Sequence, residues 1–283
     1  MAEMDKIQEL LRTGLGTEGQ LLLPRRIHDV IIEEVDKNLI PRSEAAIYVG
    51  PAEIPGSSYD FNLVTPDTMD VRLVAEGAEI PIDQVTYTST NVLPSKYGVA
   101  IRITRELLED AKWNLLQHNV QYAGKRIAEN ENSITITALD GAANTVSGGA
   151  SITIANITRA MQYLEDSDFT GTSFFVGMEV LNDLRNIDTF VEYNKIGNTE
   201  MLTRGFLGNI YGLNVVKVST NAGMTSTSSY VIDRTQAYAI VEKRPVTVEN
   251  FELPTFDMSA AAITQRIAVS LLRSSAVAKI TTT

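Results

Sequence analysis

Polar and apolar residues alternate along YDFNLV (59–64), MDVRLV (69–74) and VTYTSTNVL (85–93), and this period of two predicts strands with one apolar face. Gly56, Pro66, Gly77, Pro81 and Pro94 punctuate the region. Between the last two runs lies VAEGAEIPIDQ (74–84), which predicts a long hairpin with an acidic Glu76-Gly77 tip. Elsewhere the period changes. After Pro24, the residues Ile27, Val30, Ile31, Val35 and Leu39 recur at steps of three and four, and Pro41 closes the helix they predict. Beyond the alternating strand VAIRI (99–103), Thr104 is an N-cap candidate with Glu106 in the first turn. Leu107, Leu108, Ala111, Leu115, Leu116, Val120, Ala123 and Ile127 then mark one helical stripe. Carried to Leu139, this helix spans roughly 50 Å at 1.5 Å per residue. The β-branched residues of NSITITA (132–138) leave a stop near Asn130 as the alternative.

From Gly141 the small-residue stretch GAANTVSGGAS reads as a linker or exposed loop and a boundary. ITRAMQYLED then reads as a helix, SFFVG as a buried strand, EVLNDLRNI as a helix and NVVKVS as a strand entered through a turn at Gly212. YVIDR, AYAIVEK, PVTVENFE and the C-terminal AAITQRIAVSLLRSSAVAKITTT supply further strands. With helices in the middle and strands at both ends, the class is α+β, and the late strands are expected to pair with the early ones. The first residues, MDKIQELLR followed by GLGTEGQ, read as an arm.

Charge and chemistry narrow the function. The 24 basic residues are outnumbered by 35 acidic ones, for a net charge of -11, which argues against a protein that grips phosphates through a basic face. The absence of cysteine excludes disulfides, thiolate metal sites and cysteine nucleophiles. His28 and His118 stand alone on amphipathic segments, without a second histidine at metal-ligand spacing. No G-x-S-x-G or phosphate-binding G-x-x-x-x-G-K-[ST] motif occurs, and no cofactor is expected. The carboxylate clusters at Glu33-Glu34, Glu106-Glu109-Asp110 and Glu129-Glu131 read as solvated helix faces. Arg25-Arg26 and Lys125-Arg126 are the candidates for weak polyanion contact, although acids flank both pairs and ordinary ion pairs are the plainer account. No stretch reaches the apolar length of a membrane-spanning helix, and no membrane contact is expected.

A long arm, a half-polar hairpin and an extended helix cannot all bury their apolar sides inside one compact monomer of this length. Isolated two-stranded hairpins are marginal in water, so the hairpin is expected to lie across another copy of the chain. In this order, VAEGAEIP, VAIRITRELLEDA, AENENSITITALDG, FLGNIYGLNVVKVS, and RPVTVENFELP with AAITQRIAVSLLRSSAVAKITT make the chain resemble the major capsid proteins of tailed double-stranded DNA viruses, the Hong Kong 97 type. The resemblance runs from about Arg25 to the C-terminus. It implies an α+β capsid fold with an N-terminal arm over 1–44 and an extended hairpin, the E-loop, over 56–94. A P-domain with a spine helix is implied over 45–55, 95–140 and 236–283, and an A-domain over 141–235.

The function so implied is a structural one, without catalysis: self-assembly through pentamers and hexamers into an icosahedral shell around packaged double-stranded DNA, bound without sequence preference. Separate scaffolding, portal and decoration proteins are the partners expected besides the chain itself. The implied location is the virion, with assembly in the host cytoplasm. Arg72, Glu76, Gly77, Glu79 and Pro81 are the E-loop residues expected at the contact between neighbouring copies. Some members weld their shells through an isopeptide bond between an E-loop lysine and an asparagine, with a glutamate as proton acceptor. Here no lysine lies between Asn38 and Ser95 and no glutamate lies in AITQRIAVSLLR, so cross-linking is expected to be absent. The alternatives are an encapsulin-type compartment on the same fold, enclosing a cargo enzyme, and an α+β hydrolase with an unrecognised site.

Overall fold

The structure is a computed structural model that describes residues 39, 41–64, 71–77, 79–80, 82–83, 86–104, 106, 115–187, 208–256 and 258–283. The helix expected before Pro41, most of the first turns after Thr104, and Trp113 lie outside the described residues. Two sheets and a ribbon organise the rest. β1 (Ile47–Val49), β10 (Tyr238–Leu253), β11 (Met258–Leu271) and β4 (Ser95–Thr104) form a four-stranded sheet in that order. β1 runs parallel to β10, and the other neighbours are antiparallel. The late strands therefore do pair with the early ones. β10 is one long strand rather than two short ones. Its register shifts between Glu242 and Thr247, around Pro245, whose missing N–H cannot serve a regular ladder.

A six-stranded sheet takes β5 (Asn144–Gly149), β12 (Val277–Thr282), β9 (Ser228–Ile232), β6 (Ser173–Val176), β8 (Leu213–Lys217) and β7 (Asn209–Ile210) in that order. The expected linker GAANTVSGGAS thus contains a strand, parallel to β12, with Val146 buried. Its small residues answer to close approach rather than to flexibility: a β-carbon at Gly148 would lie 2.7 Å from the Thr282 side chain and 3.2 Å from the Thr281 carbonyl. β12 belongs to this sheet, so the segment 236–283, expected as one unit with the spine helix, divides between the two sheets.

Helix α1 (Leu115–Leu139) packs on β11 and β4, and α2 (Ile154–Glu165) packs on β5 and β12; α3 (Met178–Asn186) follows β6. The longer reading of the spine helix holds at its C-terminal end. The hydroxyls of Thr135 and Thr137 donate to the carbonyls of Glu131 and Ser133, at 3.0 and 2.9 Å, which lets β-branched residues sit in helical backbone without an orphaned polar group. One core runs through both sheets. Ile136 and Leu139 of α1 join Phe174, Phe175, Val231 and Ile280 of the six-stranded sheet and Ile240 and Ile267 of the four-stranded one.

Glu131, Asn132 and Thr135 interrupt the buried face of α1, and a buried carboxylate must be paired to persist. Glu131 accepts from Arg42 Nε at 2.7 Å and from Gln265 Nε2 at 2.9 Å. Arg42 Nη2 also reaches Glu242 at 3.0 Å, Gln265 Nε2 reaches it at 3.2 Å, and the Tyr48 hydroxyl donates to it as well. Five chain segments therefore meet in one hydrogen-bonded cluster: 41–44, β1, α1, β10 and β11. Burial works against the Arg42 charge, yet the bond to Glu131 and the attraction of both carboxylates outweigh it and hold its pKa above the ordinary value. Burial, then the bond to Glu242, raises the Tyr48 pKa. At the far end of α1, Asp140 accepts from Tyr230 of β9 and from Lys279 of β12, both at 2.6 Å, and fastens the helix to the six-stranded sheet.

Replacing Arg42 with Met leaves Glu131 charged and buried without its strongest partner, and urea unfolding of the unassembled chain is expected to show a loss of about 3–5 kcal/mol. Adding Glu131→Gln to that variant removes the stranded charge and recovers part of the loss. Asp140 gives a pH signature. Burial alone raises its pKa, but the bonds from Lys279 and Tyr230 more than offset this and bring the net value below 3.8. A depressed folded-state value means that the contribution is present above 3.8 and is lost as pH falls below it. The stability difference between wild type and Asp140→Asn should therefore be present at neutral pH and shrink on acid titration; a difference independent of pH refutes the assignment.

Candidate functional site

β2 (Tyr59–Val64) and β3 (Tyr87–Val92) pair antiparallel into a two-stranded ribbon, with Tyr59 opposite Val92 and Val64 opposite Tyr87. The paired strands are thus YDFNLV and YTSTNV. The described residues of MDVRLV lie beyond them and carry no ladder of their own. At the root, Phe61 and Val92 enter a small core with Ile54, Val49, Ala239 and Val241, and the Tyr59 and Phe61 rings meet edge to face at 4.9 Å. This core lies on the face of the four-stranded sheet opposite α1: Ala268 of β11 packs into it, whereas Ile267, pointing to the other face, joins the core that contains Ile136 and Leu139.

Further out, the ribbon loses its packing. Val71, Leu73 and Ile82 are 105%, 104% and 94% exposed, as open as in an extended peptide, and Ile80 is 73% exposed. Arg72 is held by Asp83 at 3.5 Å, a pairing between the two limbs that alternation alone did not suggest. Gly77 closes the tip at φ 76°, a left-handed conformation that a side chain would strain, and Glu76 and Glu79 on either side of it are exposed. Of the residues expected at this site, Arg72, Glu76, Gly77 and Glu79 thus belong to one outer limb or tip, while Pro81 lies outside the described residues. Among the described residues, nothing covers these apolar side chains.

The basic pairs divide. Arg25 and Arg26 lie outside the described residues. Lys125 and Arg126 stand exposed on α1, but both reach Glu129, at 3.9 and 2.8 Å, and Arg126 lies 5.5 Å from the centre of the Tyr122 ring. The bond to Glu129 holds the Arg126 pKa above its ordinary value. Among the described residues, no group of histidine, aspartate or glutamate side chains is arranged to hold a metal ion, and no helix is long and apolar enough to cross a membrane.

A comparison with curated proteins finds no match. The sequence model of a family described as "Phage capsid protein" matches residues 87–280. Among solved structures, a chain from Mycobacterium phage Che8 superposes with a TM-score of 0.68 at 15% identity, over 80% of this chain and 84% of that one. A chain of the bacteriophage PhiM1 mature capsid gives 0.66 at 13% identity, over 87% of each chain. A virus-like particle from Pyrococcus furiosus gives 0.59 at 11% identity, over 90% of this chain and 98% of that one. At such identities the likeness establishes the fold, which is of the Hong Kong 97 type. With the family match covering more than half of its length, from the inner limb of the ribbon through nearly all of the last strand, this chain belongs to the phage capsid protein family.

Proposed function

We propose that this capsid shell protein assembles through pentamers and hexamers into an icosahedral shell around packaged double-stranded DNA. The carrying observation is the outer ribbon, where Val71, Leu73, Ile80 and Ile82 stand in solvent above an acidic tip. Burying such side chains yields about 1.5–3 kcal/mol each. Every copy both extends a ribbon and offers a surface to one. A head-to-tail contact of this kind closes into rings when the rotation between copies permits. In this reading, residues 1–44 are the arm and 56–94 the E-loop; 45–55, 95–140 and 236–283 are the P-domain, and 141–235 the A-domain. Scaffolding, portal and decoration proteins are its separate partners, assembly takes place in the host cytoplasm, and the protein works as a structural element rather than an enzyme.

The DNA is enclosed without being gripped. Lys125 and Arg126 share Glu129, and the chain carries a net charge of -11, so contact with phosphates is weak and independent of sequence. An encapsulin-type compartment is the second reading; the likeness to the Pyrococcus furiosus virus-like particle supports a shell and leaves its content open.

Expression of the full chain with its neighbouring viral genes is expected to give closed particles by electron microscopy. Replacing residues 71–83 with a short turn should leave folded chains that sediment as small species, because the ribbon root and both sheets are untouched. Closed particles from that deletion variant would overturn the role given to the ribbon. Particles that hold a protein cargo and no DNA would select the second reading.

A further inference from the structure

The face of the four-stranded sheet opposite α1 gathers cations. In register, Lys96 of β4 lies opposite Arg266 of β11, and Arg266 lies opposite Arg244 of β10. Directly opposed residues of neighbouring strands share a face, and adjacent strands are about 4.8 Å apart, so the three positions line up across about 10 Å. The register of β10 shifts between Glu242 and Arg244, and Lys243 adds a fourth cation on this side, where its Nζ donates to the Ile54 carbonyl at 2.6 Å. Ile54 belongs to the small core at the ribbon root, which lies on the same face. Like charges directly opposite one another destabilise a sheet, and the chain has 35 acidic residues with which to relieve them. Among the described residues none does so: no carboxylate pairs with any of the four cations. The first acid on this face of the sheet by register is Glu249, opposite Ala262, which lies roughly 13 Å along β11 from Arg266.

Every acceptor that these side chains do use is neutral. Arg266 Nη2 donates to the Pro94 carbonyl at 3.2 Å, and Arg244 Nη2 donates to Thr264 Oγ1 at 2.8 Å. Thr264 Oγ1 lies in turn 3.1 Å from Thr247 Oγ1, so the Arg244 guanidinium is anchored on a hydroxyl that is itself held. Arg244 Nε, shielded from water, has no acceptor. A buried donor left unmatched costs stability, and the cost is recovered when an acceptor arrives. Both arginines and Lys243 are half-buried, whereas Lys96 is exposed on the edge strand. Held guanidinium groups with donors to spare and one flexible lysine at the rim are prepared for an anion that the chain itself does not provide there.

We infer that this row is a binding site for a small oxyanion of the phosphate class, a single phosphate or a short polyphosphate, held between Arg244 and Arg266 and closed by Lys96. Such an anion presents the several acceptor oxygens that guanidinium forks match. The extent of the row selects against a nucleic-acid duplex, which carries one charge per about 1.7 Å of axis and needs cations along its length. Here the cations are one row deep. Along the strands the next positions on this face are Gly98, Thr264 and Thr247, and after them Ala100, Ala262 and the acid Glu249. The site lies within one chain and needs no second copy, so it is independent of the role given to the ribbon. By bridging β4, β11 and β10 the anion stabilises the sheet that binds it, because a ligand of the folded chain alone shifts the unfolding equilibrium.

Calorimetric titration of the full chain with sodium phosphate and with sodium tripolyphosphate, against sodium chloride of equal ionic strength, tests the site. Saturable binding of one anion per chain is expected, with a rise in melting temperature that chloride does not reproduce. R244Q/R266Q is expected to weaken the binding at least about ten-fold and to abolish the rise. K125Q/R126Q removes the same charge from a pair already matched by Glu129 and is expected to leave the affinity within about two-fold. Circular dichroism and a cooperative melt establish that the chains remain folded. Should R244Q/R266Q not fold, K96Q, altered at an exposed position, carries the test and is expected to weaken tripolyphosphate binding about three-fold. No saturable binding, an undiminished affinity in the folded variant, or equal losses from the two double variants overturns the assignment. A short DNA duplex that outcompetes tripolyphosphate, and whose binding is lost in R244Q/R266Q, would assign the row to nucleic acid and refute the free-anion site.

Discussion

Two buried carboxylates share one guanidinium beneath the four-stranded sheet, and the arrangement of everything around them depends on satisfying that charge. Glu131 comes from α1, Glu242 from β10, Gln265 from β11 and Arg42 from the segment that leads into β1. An apolar contact tolerates sliding. A bidentate guanidinium–carboxylate pair does not, because a small displacement strands a charge in a medium that cannot solvate it. The cluster therefore fixes the rotation of α1 against the sheet and the point at which the chain enters β1. Gln265 spends both amide hydrogens on the two carboxylates, and its Oε1 is left buried without a donor, a cost that is consistent with register being maintained at the expense of stability.

From that fixed point the ribbon follows. β1 sets Val49 on β10, and Val49 and Ile54 form the floor on which Phe61 and Val92 seat the ribbon root. The direction in which the ribbon leaves the body is thus decided by buried interactions, while its outer part carries none. This division suits a chain that must stay soluble before it meets its neighbours. The outer part instead carries charge, with acidic residues at the tip and the Arg72–Asp83 pair between the limbs.

The sequence disclosed the elements whose signal is local. The strand SFFVG, the helices ITRAMQYLED and EVLNDLRNI and the turn at Gly212 follow from residues within one or two turns of chain, and alternation located the ribbon strands at YDFNLV and VTYTSTNVL while also predicting a strand in MDVRLV that its described residues do not form. What it hid depends on partners far away. GAANTVSGGAS read as a linker because small residues signal flexibility in isolation, and only the closeness of Thr281 and Thr282 makes them the residues a strand needs at that edge. Glu131 read as part of a solvated helix face, although Arg42 and Gln265 wait for it inside. Cross-strand neighbours were equally invisible: Lys96, Arg266 and Arg244 are scattered single charges until the register sets them side by side on β4, β11 and β10.

Two facts about charge must also be reconciled. Copies of a chain with a net charge of -11 repel one another at long range, yet a shell requires them to meet. The Debye length at physiological salt is about 8 Å, so the long-range repulsion is largely screened while a contact at hydrogen-bond distance is not. Short-range contacts and apolar burial, rather than net charge, then set which surfaces can hold together. Net acidity thus discourages indiscriminate association without forbidding a specific one.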